Sequence, residues 1–264
     1  MSAEKPLVYL LLGAAGSGRR EVLADLIADG LEPTDRPATL LAADEPPAAF
    51  DDRLGALSRW QWTADRQIVA TLPPEATHVF FMTHGRHNPV DQIEAFRAWL
   101  PGSGAELGAI LTVVHCQLVA QHHALQTWYD ACVHFSDVVL LNRREGIANK
   151  WMSDFLGHYK AQFLPCLFEY VKNGRVKNPV LLLEPQARRI SQAFDPVEEL
   201  PASAAGVVIE DETDPEDDEE AAEAAAQEAV DNGDAPPGED PYFVRWPSGL
   251  RDKEIPDINK YLGA

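Results

Sequence analysis

Five stretches of this chain are apolar almost without interruption, at 7–12, 38–43, 78–83, 109–115 and 137–141, and 179–183 makes a sixth. A strand with one wet face alternates apolar and polar residues. A continuous apolar run of this length belongs instead to a parallel strand covered on both faces. Between most of the runs, residues 20–29, 90–100, 120–134 and 148–163 repeat apolar side chains at helical spacing. Alternating strand and helix segments of these lengths predict a doubly wound, mostly parallel α/β sheet with right-handed crossovers. The ligand crevice of such a sheet lies beyond the carboxyl ends of its strands.

The charge is unevenly spread. Residues after 200 hold 18 acidic and 4 basic side chains, a net −14 out of the formal −20 for the 264-residue chain. The remainder is close to neutral, which argues against nucleic acid as the main partner, because a phosphate backbone requires a basic surface. Residues 210–220, Glu-Asp-Glu-Thr-Asp-Pro-Glu-Asp-Asp-Glu-Glu, can bury nothing and read as a solvated, disordered linker, or as a recognition tail for a basic partner. Residues 221–230 could form an Ala-rich helix too short to stand alone. Beyond a second linker, Tyr242, Phe243, Val244 and Trp246 form an aromatic cluster that reads as a docking peptide, for this chain's own body or for a partner protein. The expected organisation is an α/β domain over 1–200, an acidic linker over 201–240 and a docking segment over 241–264.

Three widely spaced cysteines, Cys116, Cys132 and Cys166, suggest reduced thiols and a cytoplasmic setting. The first residues carry no signal-peptide pattern. No segment approaches the ~18 apolar residues of a membrane span, so a soluble protein with no membrane partner is expected.

The first apolar run ends in Gly13-Ala-Ala-Gly-Ser-Gly18-Arg19-Arg20. Glycines at this spacing let successive backbone N–H groups turn inward around phosphate oxygens, and a helix N-terminus favours anions. A P-loop also needs a Lys for the phosphates and a Ser/Thr hydroxyl for Mg²⁺. Arg19 takes the Lys position and keeps its charge. Arg20 takes the hydroxyl position and cannot ligate a metal, since a guanidinium has donors and no acceptor. The plainer reading is a tight strand–helix turn followed by two solvent-facing arginines.

Further sites follow in order. Met82-Thr-His84-Gly85 with Pro89 ends a strand in a glycine turn, Val113-Val114-His115 ends another, and Asn142-Arg143-Arg144-Glu145 follows a third. Together with the loop they resemble the CobW/HypB/UreG family of P-loop GTPases, the CobW branch above all, over roughly residues 6–185. The resemblance implies a P-loop NTPase fold. It also implies that Gly13, Gly16, Ser17, Gly18 and Arg19 hold phosphate, and that Asn142 and Glu145 hold the base of GTP or GDP. Arg20 would then substitute a fixed charge for Mg²⁺.

The departures matter as much. Arg20 and Glu21 replace hydroxyls, Met82 replaces a glutamate, and Trp60-Gln61-Trp62 stands where the family has its Cys-x-Cys-Cys metal motif. The scattered His115, Cys116, His122, His123, Cys132 and His134, with His84 and His87 nearby, show no fixed ligand spacing, and no transition-metal site is expected. Trp60 and Trp62 alternate as a half-buried strand pair would. The expectation is a degenerate, CobW-like GTP-binding protein, a pseudo-GTPase with weak or no hydrolysis and no catalytic residue, acting through protein contacts. The alternatives are an active metallochaperone GTPase and a small-molecule phosphoryl-transfer enzyme on the same fold.

Overall fold

The computed structural model describes residues 5–195 and 239–263. They fall into two compact units. One runs to Ile190 and takes in the residues from Ile255; the other spans Ser191–Glu254. The acidic run 210–220, the stretch 221–230 and the rest of 196–238 lie outside the described residues.

In the first unit, β1 (Leu7–Gly13), β2 (Pro37–Ala42), β3 (Ala56–Trp62), β4 (Ile68–Val69), β5 (His78–Met82), β6 (Glu106–His115), β7 (Val138–Asn142) and β8 (Leu167–Tyr170) form one sheet. Its order is β4-β3-β2-β5-β1-β6-β7-β8, and all neighbours are parallel except β3 and β4. The helices are α1 (Arg19–Gly30), α2 (Pro89–Trp99), α3 (Cys116–Gln121), α4 (Leu125–His134), α5 (Asn149–Lys160) and α6 (Pro179–Leu182). This is the doubly wound, mostly parallel sheet that the apolar runs predict, with the glycine turn joining a central β1 to α1. The chain leaves β1 toward β2 and β5, then crosses to β6 on the other side. That reversal opens a crevice at the carboxyl end of β1, where residues 13–18 lie.

The core explains the pattern. Val8 through Leu12 are buried, as are Val22, Leu23 and Leu26 of α1, which pack with Tyr9, Leu11, Phe80, Leu111 and Val113. Each fully buried side chain of this size contributes about 1.5–3 kcal/mol. At the start of α2, the Asn88 side chain accepts the Val90 N–H at 2.9 Å, and Pro89 supplies a first residue that has no N–H to satisfy.

Some expectations need correction. Residues 179–183 are not a strand. Pro179 opens the short helix α6, with its fixed φ already suited to a first helical position, and apolar content alone cannot separate so short a run from a strand. The last parallel strand is β8, which the sequence pattern missed. The helix expected over 120–134 is two, because the backbone at His122 leaves the helical region (φ −133, ψ 85). Trp60 is fully buried, stacked on Phe81 at 5.1 Å with its indole N–H donating to the Met82 carbonyl at 2.9 Å, whereas Trp62 is half-buried.

Residues 255–263 belong with the α/β body: Ile258 is buried, Asn259 Nδ2 donates to the Arg86 carbonyl at 2.9 Å, and the Tyr261 ring lies 5.1 Å from that of His122. Within the second unit, Arg251 donates to the Tyr242 carbonyl at 3.0 Å and Lys253 sits 4.5 Å over the Tyr242 ring, while Trp246 and Leu250 are exposed. Among the described residues no helix is long and apolar enough to cross a membrane.

Candidate functional site

The loop after β1 bends through three glycines with positive φ, at Gly13 (139°), Gly16 (80°) and Gly18 (85°), and Gly18 caps α1 in the left-handed conformation. A cleft of about 420 Å³ opens beside it. Ala15, Gly16, Gly18, Arg19 and Arg20 line one side; Glu45, His84, Gly85, Arg86 and Arg143 are among the residues lining the rest.

Both arginines border the cleft, but the terminal nitrogens of each are engaged by the protein itself. Arg19 is buried. One of its terminal nitrogens donates to the Thr83 carbonyl and the other to Glu45 Oε1 at 3.1 Å. Arg20 donates to Glu45 Oε2 at 2.8 Å, to Asp51 Oδ1 at 2.8 Å and to the Pro46 carbonyl at 3.0 Å. Glu45 therefore bridges two guanidiniums, one oxygen to each. Burial pushes its carboxyl up, but Arg19 and Arg20 outweigh that and hold it below the usual carboxylate range. Burial likewise lowers Arg19, against the pull of Glu45.

The loop's backbone is engaged as well. The Ala15 N–H donates to the Gly85 carbonyl at 2.8 Å instead of facing the cleft. Only a glycine permits this contact, since a Cβ at Gly85 would lie 2.4 Å from the Ala15 nitrogen and 2.6 Å from Arg19 Nη2. Gly85→Ala should accordingly cost about 1–3 kcal/mol, the range for overpacking a filled site, read as a lower midpoint in urea unfolding.

The remaining expected residues divide. Ser17 is fully buried, its hydroxyl has no hydrogen-bond partner among the described residues, and it does not line the cleft; nor does Gly13. Asn142 comes to the loop, where its Nδ2 donates to the Ser17 carbonyl at 2.8 Å. Glu145 lies apart, exposed, with its backbone carbonyl accepting from Gln117 Nε2 at 2.7 Å. His115 caps α3 by accepting the Leu118 N–H at 3.2 Å, and burial, then the Arg143 charge, lowers its basicity.

Mg²⁺ does not fit the residues present. The position that would offer a hydroxyl offers a guanidinium, and both oxygens of Glu45 are engaged by arginines. The three cysteines are free and buried; burial raises Cys116 to about 12 and Cys166 to about 11, so neither offers the thiolate a soft metal wants.

Sequence reasoning found the arginines but missed the acids that hold them. The available signal was the Asp44-Glu45 pair at the carboxyl end of β2, the edge of the crevice where two unexplained positive charges had to be balanced.

No protein-family model matches the chain, and no curated protein matches it. Among solved structures, Zn(II)-bound YjiA GTPase from E. coli is similar at 15% identity, covering 86% of this chain and 80% of its own, with a TM-score of 0.46. The cell division protein FtsY from Thermotoga maritima follows at 17%, 69% and 68%, with a TM-score of 0.45. FtsY from Elizabethkingia anophelis in complex with GDP stands at 16%, 74% and 66%, with a TM-score of 0.41. What the cleft binds is therefore read from its own residues.

Proposed function

We propose that this chain is a degenerate, CobW-like GTP-binding protein whose phosphate site is closed by its own carboxylates. It binds GTP or GDP weakly, without Mg²⁺, hydrolyses it slowly or not at all, and acts through protein contacts. The observation that carries this reading is the capture of Arg19 and Arg20 by Glu45 and Asp51. A phosphate entering the cleft has to displace a buried carboxylate from two guanidiniums, and charge-assisted bonds of this kind are the stronger class. Hydrolysis in this fold relies on a metal bridging the β- and γ-phosphates, and the groups that would hold it are replaced. Contacts with a protein partner through 241–264 are supported by the exposed Trp246 and Leu250, side chains that are costly to leave in water.

Calorimetric titration with GTP, GDP and ATP, each with and without Mg²⁺, tests the reading. Native protein should bind with Kd near ~1 mM or weaker and no metal dependence, a free energy of about −4 kcal/mol. Glu45→Gln, which removes the competing charge and keeps the shape, should bind at least about tenfold tighter, and Arg19→Ala in that background should abolish the gain. Micromolar, Mg²⁺-dependent binding by the native protein would overturn the proposal in favour of a working GTPase.

A further inference from the structure

A second group of chemically active side chains stands beside the cleft, assembled from two strand ends. β2 and β5 are parallel neighbours, with Leu40 paired to Phe81, so the segments leaving their carboxyl ends emerge side by side. The first carries Asp44 and the second carries His84 and His87. One ligand atom of each lies within 4.8 Å of the other two. Nε2 of His84 is 3.5 Å from Asp44 Oδ2, and the two imidazole rings are 4.2 Å apart between centroids.

His84 is fixed from behind. Gln92, buried on α2, accepts the His84 N–H at 2.6 Å and donates to its carbonyl at 3.0 Å. Asp44 and His87 are exposed and free to adjust. A cavity of about 310 Å³, lined by Trp60, Gln61 and Trp62 as well as by the three residues, opens onto the group.

We propose that Asp44, His84 and His87 bind a divalent transition ion of the zinc class, with a fourth position open to water or to an exchanging ligand. Two imidazoles and one carboxylate select zinc, cobalt or nickel over magnesium and calcium, which take oxygen ligands. At Zn–N and Zn–O lengths near 2.0–2.1 Å, tetrahedral donors stand about 3.3 Å apart. The Asp44–His84 pair already stands close to that distance, and the exposed His87 ring closes the remainder by turning. Ligation at Nε2 leaves the His84 proton on Nδ1, so the 3.3 Å contact from the Arg86 N–H is exchanged for one to water; at that length little is lost. His84 and His87 stand out in the sequence, whereas Asp44, on a separate segment, does not.

Untagged full-length protein titrated calorimetrically with ZnCl₂, without nucleotide, tests the site, and visible absorption on Co²⁺ addition reports its coordination. The expected result is one equivalent per chain with a micromolar or tighter Kd, unaffected by excess Mg²⁺. His87→Ala and Asp44→Asn should each weaken it by at least about tenfold and remove the cobalt bands. Both side chains are exposed, so unchanged thermal midpoints without metal confirm that the variants are folded. His158→Ala, which disrupts a mere two-donor pair with Asp130 (3.1 Å), should leave binding intact. Absence of stoichiometric binding overturns the proposal; so does binding that survives both ligand substitutions or that follows His158. Since no nucleotide is present, neither outcome depends on how the phosphate site behaves.

Discussion

Glu45→Ala should lose about 3–5 kcal/mol of stability, read as a shift of the urea midpoint at unchanged slope. The side chains of Arg19 and Arg20 are 7% and 13% exposed, so removing their shared carboxylate leaves two largely buried guanidiniums short of an acceptor, Arg20 with Asp51 and the Pro46 carbonyl and Arg19 with one backbone carbonyl. Stranding a buried charge costs far more than an exposed ion pair is worth, typically 0–1 kcal/mol. The variant should also acquire a response to polyvalent anions. Inorganic pyrophosphate binds the freed arginines in the folded state alone and so raises the thermal midpoint of Glu45→Ala, while leaving the parent protein nearly unchanged.

The pH dependence follows from the same network. The folded-state pKa of Glu45 is depressed, so its contribution is fully present above the unfolded carboxylate value of about 4.3 and is lost as pH falls through the lower folded value. Glu45→Ala should show a shallower fall in stability across that acid window. An equally steep fall in parent and variant would mean that the carboxylate is not the group being titrated.

Asp137→Ala should be comparably damaging, at about 3–5 kcal/mol, for a reason outside the cleft. Asp137 is completely buried just before β7. Its Oδ2 accepts the Ile110 N–H at 2.7 Å, its Oδ1 accepts the Arg188 N–H at 2.6 Å, and Arg189 Nη1 lies 3.3 Å from Oδ1. One side chain thus ties β6 to the segment beyond α6, and its loss strands two backbone donors. The isosteric Asp137→Asn should be damaging too, because an amide replaces one of two needed acceptors with a donor facing another donor. If Asp137→Asn unfolds at the parent's midpoint, this account of the side chain is wrong.

The α/β architecture was legible because a sheet covered on both faces leaves its mark as continuous apolar runs. It became illegible where that rule lapses. β3 buries only Trp60 among exposed and half-buried residues, and β8 is a four-residue edge strand with no fully buried side chain. In 179–183, proline geometry decided the outcome over apolar content. The glycine turn could be read from spacing alone, since φ above zero at three positions restricts the residue type. The partners of the arginines could not, because Glu45 lies 26 residues from Arg19 and Asp51 lies 31 from Arg20. Such pairing is a product of the fold and leaves no local pattern. The same reason kept Asp44 from being joined to His84 and His87.

The carboxylate shared by two arginines also makes positions 19, 20, 45 and 51 interdependent. Placing a Lys and a hydroxyl at positions 19 and 20, with Glu45 and Asp51 retained, would leave two partly buried acids with at most one cation between them. Removing the acids first would strand the arginines. Each single step should cost stability, so substitutions at the four positions should be strongly non-additive. The site therefore behaves as one covariant unit, in which no member of the charge network can change freely without its partners.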